Sequence, residues 1–399
     1  MRKMIWLCIL IPLAASLQAL EIGNNPRFSI RYETAFVNRA VFLRDSQTIA
    51  VGTTKDVQLW DTRSGQKIKT LGSHANKVMN IVLSKTGRYL ATYAYGAEVK
   101  VWDLKAGSER TALKPADYTH SIAISPDDQF LVHAGETVHV RNLGNGTEAF
   151  QFKPGTGLVT DMQFDNTGRY LVLGLSNGNK GIEIYDFTTR KLVRRIETGM
   201  DVTCLVLSPD NQLLAAGLMY PEQRGQQFSG SITMVSFPTG QKLYELGKTK
   251  GHVTGLAFHP QENILASTQY SSSPSFYLWD LKQKKASYEK KDVRRNTEAV
   301  GFSPDGKSLF VVNTSFGNLG NPSKLDVYDT GTKADLSQTG GSNDLSTFKK
   351  GQRVRALINT QWYTGVVDKT GNGHYLLKMD NRQPEYWKWV RPGDLRPIK

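Results

Sequence analysis

A nine-residue pattern that returns six times is the strongest constraint on what this chain can fold into. The pattern first occurs as VQLWDTRSG at Val57–Gly65, and its later copies begin at Val99, Val138, Ile182, Ile232, Phe276 and Leu325. Measured at the Trp60 position, successive copies lie 42, 39, 44, 50, 44 and 49 residues apart. About 40–45 residues is the length of one four-stranded propeller blade. The repeat therefore predicts an all-β, seven-bladed propeller.

A second pattern precedes each copy and has the form of a tight hairpin. Examples are LSKTGRYLAT, FDNTGRYLVL and FSPDGKSLFV, in which two apolar strand ends flank a turn of Pro, Asp, Asn, Thr or Gly. Such residues supply the backbone conformations that short hairpin turns require. Each repeat therefore contains at least three consecutive antiparallel strands.

Several of these segments resemble the WD-repeat family. The resemblance is carried by Ser303-Pro-Asp-Gly, Leu278-Trp-Asp, Thr239-Gly and Gly251-His252, and it covers about residues 28–340. It implies a seven-bladed propeller, which we place at residues 20–336.

The resemblance is incomplete in the residues that hold each blade together. In that family they are a His, a Ser or Thr, a Trp and an Asp. Blade 6 has His252, Ser267 and Trp279 but a Ser/Pro stretch in place of the aspartate, and no repeat shows the full set. This departure predicts a degenerate member of the family.

The N-terminus has the composition of a secretory signal peptide. Two basic residues are followed by an apolar run from Ile5 to Leu13 and by small residues up to Ala19. A membrane anchor is the alternative, but the run is shorter than the roughly 20 residues that a spanning helix needs. We therefore expect residues 1–19 to be removed and the protein to be periplasmic or extracellular, with no membrane span.

One cysteine remains after that cleavage, so an internal disulfide is not expected. Cys204 lies in the alternating apolar run DVTCLVLS, which predicts an inner strand of blade 5. A reactive thiol is the alternative, but no His or second Cys adjoins it. A buried structural Cys fits this setting better.

The run Arg27–Tyr32 precedes the first hairpin and belongs to no complete repeat. The last repeat ends in a poor strand, so we expect the N-terminal run to supply its outer strand and close the ring. Closure of this kind removes exposed sheet edges. A loose N-terminus is the alternative.

The connections between the second and third strands are short in blades 1–3 and long in blades 4–7. In WD-repeat propellers these connections share one face, so the resemblance implies an arc of long loops over four neighbouring blades. Grafted loops on repeat scaffolds often carry function, although neutral drift of surface loops gives the same pattern. The candidate partner-binding residues on this rim are Tyr220, Arg224, Phe228, Tyr270 and Phe316.

The composition changes after the last repeat. Residues 337–346 are rich in Gly, Ser and Asn and are predicted to be a linker. Residues 347–399 hold four or five short alternating strands, the size of a small closed barrel. The motif Trp362-Tyr363-x-Gly365-x-Val367, with Trp389-Val390 later, resembles the Tudor and Agenet group, which implies a Src-homology-3-like β-barrel.

Members of that group often bind methylated Lys or Arg in an aromatic cage. The resemblance places only Tyr363 on a cage position; Ile358, Met379 and Arg382 fall where other cage residues would stand. The candidate ligand-binding residues of the barrel are Tyr363, Trp362, Trp387, Lys349, Lys350, Arg353 and Arg355.

The C-terminal region is strongly basic. Residues 348–399 hold eleven Lys and Arg against four Asp and Glu, within a chain of net charge +14. A basic surface with interleaved aromatic residues suits an anionic polymer or another acidic surface. Nucleic acid is the usual partner of such a surface, but the expected export argues against it.

The sequence contains no nucleophile elbow, phosphate-binding loop or zinc-protease motif, and its seven His show no metal-ligand spacing. We therefore expect a monomeric, non-enzymatic scaffold without a metal or cofactor. Its propeller is expected to bind a protein partner, and its barrel an anionic or peptide ligand. A propeller enzyme or small-ligand binder with a site in the central channel is the alternative.

Overall fold

The structure is a computed structural model. In the repeat region it describes residues 20–23, 25–32, 36–96, 98–115, 118–155, 157–178, 180–220, 229–249, 251–270, 275–291, 296–314 and 323–331. In the C-terminal region it describes the backbone of residues 353–358, 361–371, 374–379, 388–390 and 395–397. The chain divides into two compact units between residues 332 and 333. Within the described residues there is no helix long and apolar enough to span a membrane.

The described repeat region consists of strands and turns. Blades 1–3 comprise Arg39–Phe42 (β3), Thr48–Gly52 (β4), Asp56–Asp61 (β5), Lys67–Ser73 (β6), Val78–Leu83 (β7), Tyr89–Ala94 (β8), Val99–Asp103 (β9), Ser108–Leu113 (β10), Ser121–Ile124 (β11), Phe130–Ala134 (β12), Val138–Asn142 (β13) and Glu148–Phe152 (β14). Blades 4–6 comprise Leu158–Phe164 (β15), Tyr170–Ser176 (β16), Gly181–Asp186 (β17), Lys191–Glu197 (β18), Asp201–Leu207 (β19), Leu213–Met219 (β20), Gly230–Ser236 (β21), Lys242–Thr249 (β22), Val253–Phe258 (β23), Ile264–Gln269 (β24), Phe276–Asp280 (β25) and Lys285–Glu289 (β26). Blade 7 comprises Asn296–Phe302 (β27), Ser308–Thr314 (β28) and Ser323–Gly331 (β29) together with Glu21–Ile22 (β1) and Phe28–Tyr32 (β2).

These strands form seven antiparallel sheets, one for each predicted repeat. In six of them the four strands are consecutive in the chain, and the first strand of each sheet lies beside the first strand of the next. The predicted all-β, seven-bladed propeller is confirmed. The nine-residue pattern forms the third strand and the turn after it, and the hairpin pattern joins the first strand to the second.

The hydrophobic core lies between blades. Each of its seven clusters joins apolar residues of two neighbouring sheets; one of them packs Val132 and Val140 of blade 3 against Val159, Leu171 and Leu173 of blade 4. The second and third strands, buried on both faces, are therefore more continuously apolar than the outer strands, which face solvent. Cys204 belongs to such a cluster on β19 of blade 5, as predicted, and burial raises the pKa of its thiol to about 12.

The N-terminal run closes the ring, as predicted. Strand β2 pairs antiparallel with β29, with Phe28 opposite Val327 and Tyr32 opposite Ser323, and so forms the outer strand of blade 7. Ile30 is buried there, and Arg27 pairs with Asp329. Strand β1 extends the same edge toward the end of β29. The closing strand is therefore longer than Arg27–Tyr32, because it begins before Ile22.

Blade 2 contains the hydrogen-bond network that no repeat was expected to complete. His74 Nδ1 lies 3.0 Å from a Glu98 carboxylate oxygen, and His74 Nε2 lies 2.7 Å from Thr92 Oγ1. Trp102 Nε1 donates to the same hydroxyl over 2.8 Å. Glu98 takes the place of the aspartate, which is why inspection of the sequence for Asp did not find the set.

The C-terminal unit contains Arg353–Ile358 (β30), Gln361–Gly371 (β31), His374–Met379 (β32), Lys388–Val390 (β33) and Leu395–Pro397 (β34). They form one five-stranded sheet in the order β33-β32-β31-β30-β34. The four or five short strands expected from the sequence are present. The structure does not support the finer assignment of a closed Tudor-like barrel, and the domain bounds 20–336, 337–346 and 347–399 stay predictions.

Candidate protein-interaction face

One end of the propeller carries two kinds of connection: the one between the second and third strands of each blade, and the one that leads from each blade to the next. Consecutive strands of a blade are antiparallel, so the connection after the second strand and the connection to the next blade emerge on the same side. Backbone hydrogen bonds join them: His74 N donates to Lys55 O over 2.7 Å, and Tyr95 N donates to Lys77 O over 2.9 Å. We call this end of the propeller the connection face.

Three aromatic side chains are exposed on the connection face of blades 1–3. Phe36, Tyr95 and Tyr118 are 37–48% exposed, and they are the aromatic members of the exposed large hydrophobic residues in the described part of the chain. The Tyr95 and Tyr118 rings meet edge to face at 5.6 Å, and the His120 ring lies 4.8 Å from that of Tyr118. We call Phe36, Tyr95, Tyr118 and His120 the aromatic cluster.

The backbone around the aromatic cluster fixes its position. Phe36 N donates to Thr54 Oγ1 over 2.8 Å, which ties the entry to blade 1 to a turn of that blade. The carbonyl of Tyr118 passes so close to Gly135 that a β-carbon there would lie 1.8 Å from its oxygen. Only glycine allows this approach. The rings are thus presented by short, well-anchored turns.

Charged groups border the aromatic cluster toward the channel mouth. The Lys77 amine lies 4.8 Å from the Phe36 ring centroid, and burial lowers the Lys77 pKa while the Glu298 carboxylate acts in the opposite direction. Arg39 Nη1 donates to the Glu298 carbonyl over 2.7 Å. A partner on this face would therefore meet aromatic surface beside both signs of charge.

Polar side chains that line the central channel mainly bind neighbouring backbone. Asp161 accepts hydrogen bonds from Leu205 N and Met162 N, both over 2.9 Å. Burial raises the Asp161 pKa to about 6, and Arg39 is among the groups that act against this shift. The described residues hold no group of three or more His, Cys, Asp or Glu arranged for a metal ion. These contacts give Asp161 a structural role between blades 4 and 5.

Two of the five predicted rim residues lie within the described structure. Tyr220 N donates to Ser229 O over 3.0 Å, which closes the base of the longest insert. The Tyr270 ring stacks on His252 with centroids 4.8 Å apart. Both follow second strands and therefore lie on the connection face. Arg224, Phe228 and Phe316 fall outside the described residues.

The predicted ligand residues of the C-terminal unit are located only by their backbone. Arg353 and Arg355 are on β30, and Trp362 and Tyr363 are on the neighbouring β31. Tyr363 lies opposite Ala356 in register. Lys349, Lys350 and Trp387 fall outside the described residues. The backbone thus brings two of the basic residues next to the strand of the aromatic pair.

The aromatic cluster was missed because the sequence argument followed loop length. Its residues lie in short turns, within TAFVN, AYGAE and DYTHS. Aromatic residues in the short polar connections of blades 1–3 are the signal that could have found them. A group of exposed aromatic rings on one face often marks an interaction site, and that criterion does not depend on loop length.

The fold defines a seven-bladed β-propeller, and two of its segments are similar to WD repeats. Residues 65–103 and 240–280 match the family model described as WD domain, G-beta repeat. They contain the third strands of blades 2 and 6, the two blades in which a Trp donates to a buried Ser or Thr hydroxyl.

Curated relatives are similar to the chain over parts of their length. Periodic tryptophan protein 2 homolog of Mus musculus is 25% identical over 290 residues, 71% of this chain and 29% of that protein. Pre-mRNA-processing factor 19 of Oryza sativa subsp. japonica is 26% identical over 150 residues, 35% and 28% of the two chains. U3 small nucleolar RNA-associated protein 15 homolog of Gallus gallus is 26% identical over 200 residues, 49% and 38%. The chain thus spans about a third of the length of these relatives.

These relatives contradict the predicted export. One of these proteins is named for pre-mRNA processing and another for a small nucleolar RNA, and neither name describes an exported protein. The prediction of a periplasmic or extracellular protein is therefore wrong. It rested on the composition of residues 1–19 alone, which lie outside the described structure. A short apolar run behind basic residues is a weak signal when no other feature supports it.

Proposed function

We propose that the chain is a non-enzymatic scaffold that binds a protein partner through the connection face of its propeller. The observation that carries the proposal is the aromatic cluster, in which three exposed rings lie on the connection face of blades 1–3. Tyrosine and phenylalanine bury large areas at low entropic cost, and they are frequent anchors of protein interfaces.

The relatives support an assembly role for the propeller. Their printed names refer to a pre-mRNA-processing factor and a small nucleolar RNA-associated protein. We infer that the partner is a protein component of an intracellular assembly. Nucleic acid was set aside because export was expected, and that ground no longer holds.

The proposal is tested by removing the two exposed tyrosines. Tagged wild-type chain and the Tyr95→Ala/Tyr118→Ala double variant are crosslinked in cells, and captured proteins are quantified by mass spectrometry. Partners held by the connection face should be lost from the double variant and retained by Ile68→Ala, which changes an exposed residue of β6 on the perimeter. Capture of the same proteins at the same level by all three chains would contradict the proposal.

The predicted rim extends the same surface over blades 4–7. We propose that Tyr220, Arg224, Phe228, Tyr270 and Phe316 contact the same partner as the aromatic cluster. Tyr220 and Tyr270 are on the connection face in the described structure, which supports this part of the proposal. Alanine at Tyr220 and Tyr270 should weaken capture of the partners that the cluster variant loses.

We further propose that residues 347–399 form the Tudor- or Agenet-like barrel and bind an anionic or peptide ligand. The support is the excess of eleven basic over four acidic residues in 348–399 and the adjacency of β30 and β31. The residues proposed to bind are Tyr363, Trp362, Trp387, Lys349, Lys350, Arg353 and Arg355.

For the full-length chain, the salt dependence of binding distinguishes an anionic ligand from a methylated peptide. If ion pairing dominates, replacing the four basic residues by Gln should weaken heparin binding and flatten its salt dependence, because fewer counterions are released. Tyr363→Ala should cost about 1–3 kcal/mol only if a ring stacks on the ligand. Salt-insensitive binding of a trimethyl-lysine peptide, lost in Tyr363→Ala, would instead support an aromatic cage.

A further inference from the structure

A cleft of about 420 Å³ lies between blades 2 and 3, at the end of the propeller opposite the connection face. Its lining includes Thr86 and Arg88 from the first hairpin turn of blade 2, Asp127 and Asp128 from the same turn of blade 3, and Asn142 from the end of the third strand of blade 3. We call it the inter-blade cleft. Its volume lies in the range of sites that bind small molecules.

The sequence explains why this junction is open. Blades 2 and 4 share the turn sequence TGRYL, so the junction of blades 4 and 5 is a close internal comparison. There the Phe237 ring meets the Tyr170 ring edge to face at 5.8 Å, and Pro238 follows it. Blade 3 has Leu143 and Gly144 at the same two positions of the repeat. The smaller pair leaves more space at the junction of blades 2 and 3.

Two guanidinium groups lie against the Tyr89 ring in the inter-blade cleft. Arg88 Cζ is 5.0 Å and Arg110 Cζ is 5.2 Å from the ring centroid. Arg88 is already paired, because its Nε and Nη2 lie 3.2 and 3.1 Å from one oxygen of Asp103. Arg110 pairs with no carboxylate among the residues that the structure describes. Arg110 is therefore the cation available to a ligand.

Blade 3 helps to hold Arg110 in place. In the pairing of β10 with β9, Arg110 is skipped between Glu109 and Thr111, so it is the bulged residue of its strand. A β-carbon on Gly144 would lie 3.6 Å from Arg110 Nη2. The guanidinium of blade 2 thus reaches across the junction to the backbone of blade 3. A side chain at position 144 would occupy the space beside it.

The part of the lining that comes from blade 3 is acidic. Asp128 accepts from Thr86 Oγ1 with one carboxylate oxygen, and its other oxygen is buried without a hydrogen-bond partner in the described part of the chain. Asp127 uses one oxygen within its own turn. A simple anion bound to Arg110 would therefore be repelled by two carboxylates. A ligand that also carries a cation would offset this negative charge.

We propose that the inter-blade cleft binds a zwitterionic amino acid with a neutral polar side chain. Arg110 pairs with the ligand's carboxylate, for which a guanidinium has matching geometry, and Asp127 and Asp128 attract its ammonium group. Gln129 and Asn142 add neutral amides to the lining, which can hydrogen-bond a polar side chain. The cleft and the connection face lie at opposite ends, so one propeller can hold this ligand and a protein partner together.

The ligand class is tested on the full-length chain by calorimetric titration with L-glutamine. One analogue lacks the α-carboxylate of glutamine, and another lacks its α-amino group. Glutamine should bind, and each analogue should bind about tenfold more weakly or worse, because it loses one of the two charge interactions. Glutamine with both ends capped as amides mimics a residue inside a peptide and should not bind. Equal binding of either analogue or of the capped form would overturn the proposal.

Variants of the cleft test where the ligand binds. Arg110→Gln should weaken glutamine binding about tenfold, since it removes the charge that pairs with the carboxylate. Gly144→Leu should abolish binding while it keeps every charge. Arg190→Gln is the matched control, because Arg190 also lies over an aromatic ring, 4.0 Å from the Phe150 centroid, but at the junction of blades 3 and 4. It should leave binding unchanged.

The acidic residues have a distinct effect on selectivity. Asp127→Asn should narrow the difference in affinity between glutamine and the analogue without an amino group, because it removes one carboxylate that repels a simple anion. A difference that stays the same would contradict the role given to Asp127. Binding that both Arg110→Gln and Gly144→Leu leave intact, or no binding of glutamine to the wild-type chain, would overturn the proposal.

Discussion

Thr92 is the residue on which the buried network of blade 2 depends. A neutral His74 that donates from Nδ1 to Glu98 leaves Nε2 to accept from Thr92, whose oxygen then accepts from Trp102 Nε1. The low pKa of His74 agrees with this arrangement, since burial is the main cause of its shift and disfavours the charged ring. Every polar group in the chain of contacts thus has a partner.

We predict that Thr92→Val destabilises the propeller by about 1–3 kcal/mol, because it leaves the Trp102 N–H and a His74 nitrogen buried without a partner. The free energy of unfolding in urea measures the effect. Thr70→Val, at an exposed position of β6, should change it by less than about 0.5 kcal/mol. Equal effects of the two substitutions would show that the network does not contribute to stability.

At the scale of the residue, sequence reasoning succeeded where the neighbouring residues determine the environment of a side chain. It failed where a position accepts either of two residue types. Cys204 was correctly expected to be buried, because its apolar neighbours settle its environment. Glu98 was missed because we looked for an aspartate. The longer Glu98 side chain reaches His74 from a backbone position that the sequence alone does not reveal. Arg141 of blade 3 likewise donates from Nε to His133 Nε2 at the positions that Trp102 and Thr92 occupy in blade 2.

Four successive inner strands are joined by three threonine hydroxyls at β-bulges. Thr160 donates to Val202 O and Thr203 to Val253 O, both over 2.6 Å, and Thr254 donates to Thr297 O. Each bond leads from one blade to the next, so blades 4–7 form a connected arc. This arc is the part of the ring that carries the long connections.

We predict that Thr203→Val lowers the free energy of unfolding by about 1 kcal/mol, because the substitution keeps the shape and removes the donor to Val253 O. The triple variant with Thr160→Val and Thr254→Val should lose about three times as much if the sites are independent. Chemical denaturation with the exposed Thr70→Val as control measures both values. An unchanged midpoint in the triple variant would refute this role.

The closing strand gives a second prediction for an element. Ile30→Ala should cost about 2–4 kcal/mol, since Ile30 is 5% exposed and packs in the cluster that joins blades 7 and 1. Ile68→Ala, also on an outer strand but exposed, should cost little. Thermal unfolding of both variants decides the matter. Equal melting temperatures would mean that burial of the Ile30 side chain does not stabilise the propeller.

The strands were predicted well from hydrophobic alternation and turn residues. The closing strand was identified because its residues belong to no complete repeat. The bulges were not predicted, since a bulge is a relation between two strands and only the register reveals it. The aromatic cluster depends on the contact between the Tyr95 and Tyr118 rings of two different turns, which an argument from loop length does not reveal.

The buried histidines should make the whole propeller sensitive to mild acid. Burial lowers the pKa of His74, His120, His252 and His259 below the usual value of about 6.5. Just below pH 6.5 the unfolded chain therefore binds more protons than the folded chain, and acid favours unfolding. Asp161 acts in the opposite direction between about pH 4 and 6, because its folded pKa is the higher one.

We predict that the free energy of unfolding falls between pH 7.5 and pH 5.5, since four histidines outweigh one carboxyl group. Urea titrations at several pH values and constant ionic strength measure the slope. Asp161→Asn should make the fall steeper below pH 6, because it removes the opposing group. A free energy that stays constant or rises as the pH is lowered would contradict the assignment of neutral histidines.

At the scale of the molecule, the number of blades could be predicted from the regular spacing of one motif, because each copy of the motif forms the third strand of one blade. The location of the protein in the cell was not predicted correctly, because it depends on how other molecules recognise a short segment of the chain. The C-terminal unit falls between these cases: its strands were predicted, but closure of a small barrel depends on side-chain packing that alternation alone does not specify.

The closing strand also sets the order of events during synthesis of the chain. Arg27 and Asp329 pair although 302 residues separate them, so blade 7 cannot be completed until almost the whole propeller has left the ribosome. At about 5–20 residues per second this takes roughly 15–60 s. Throughout that time Ile22 and Ile30 have no partner strand, and the nascent chain exposes an unpaired strand edge in the part that was synthesised earlier. We therefore expect the interval between synthesis of the first strand and the last to be the period in which the chain is most prone to pair with other chains.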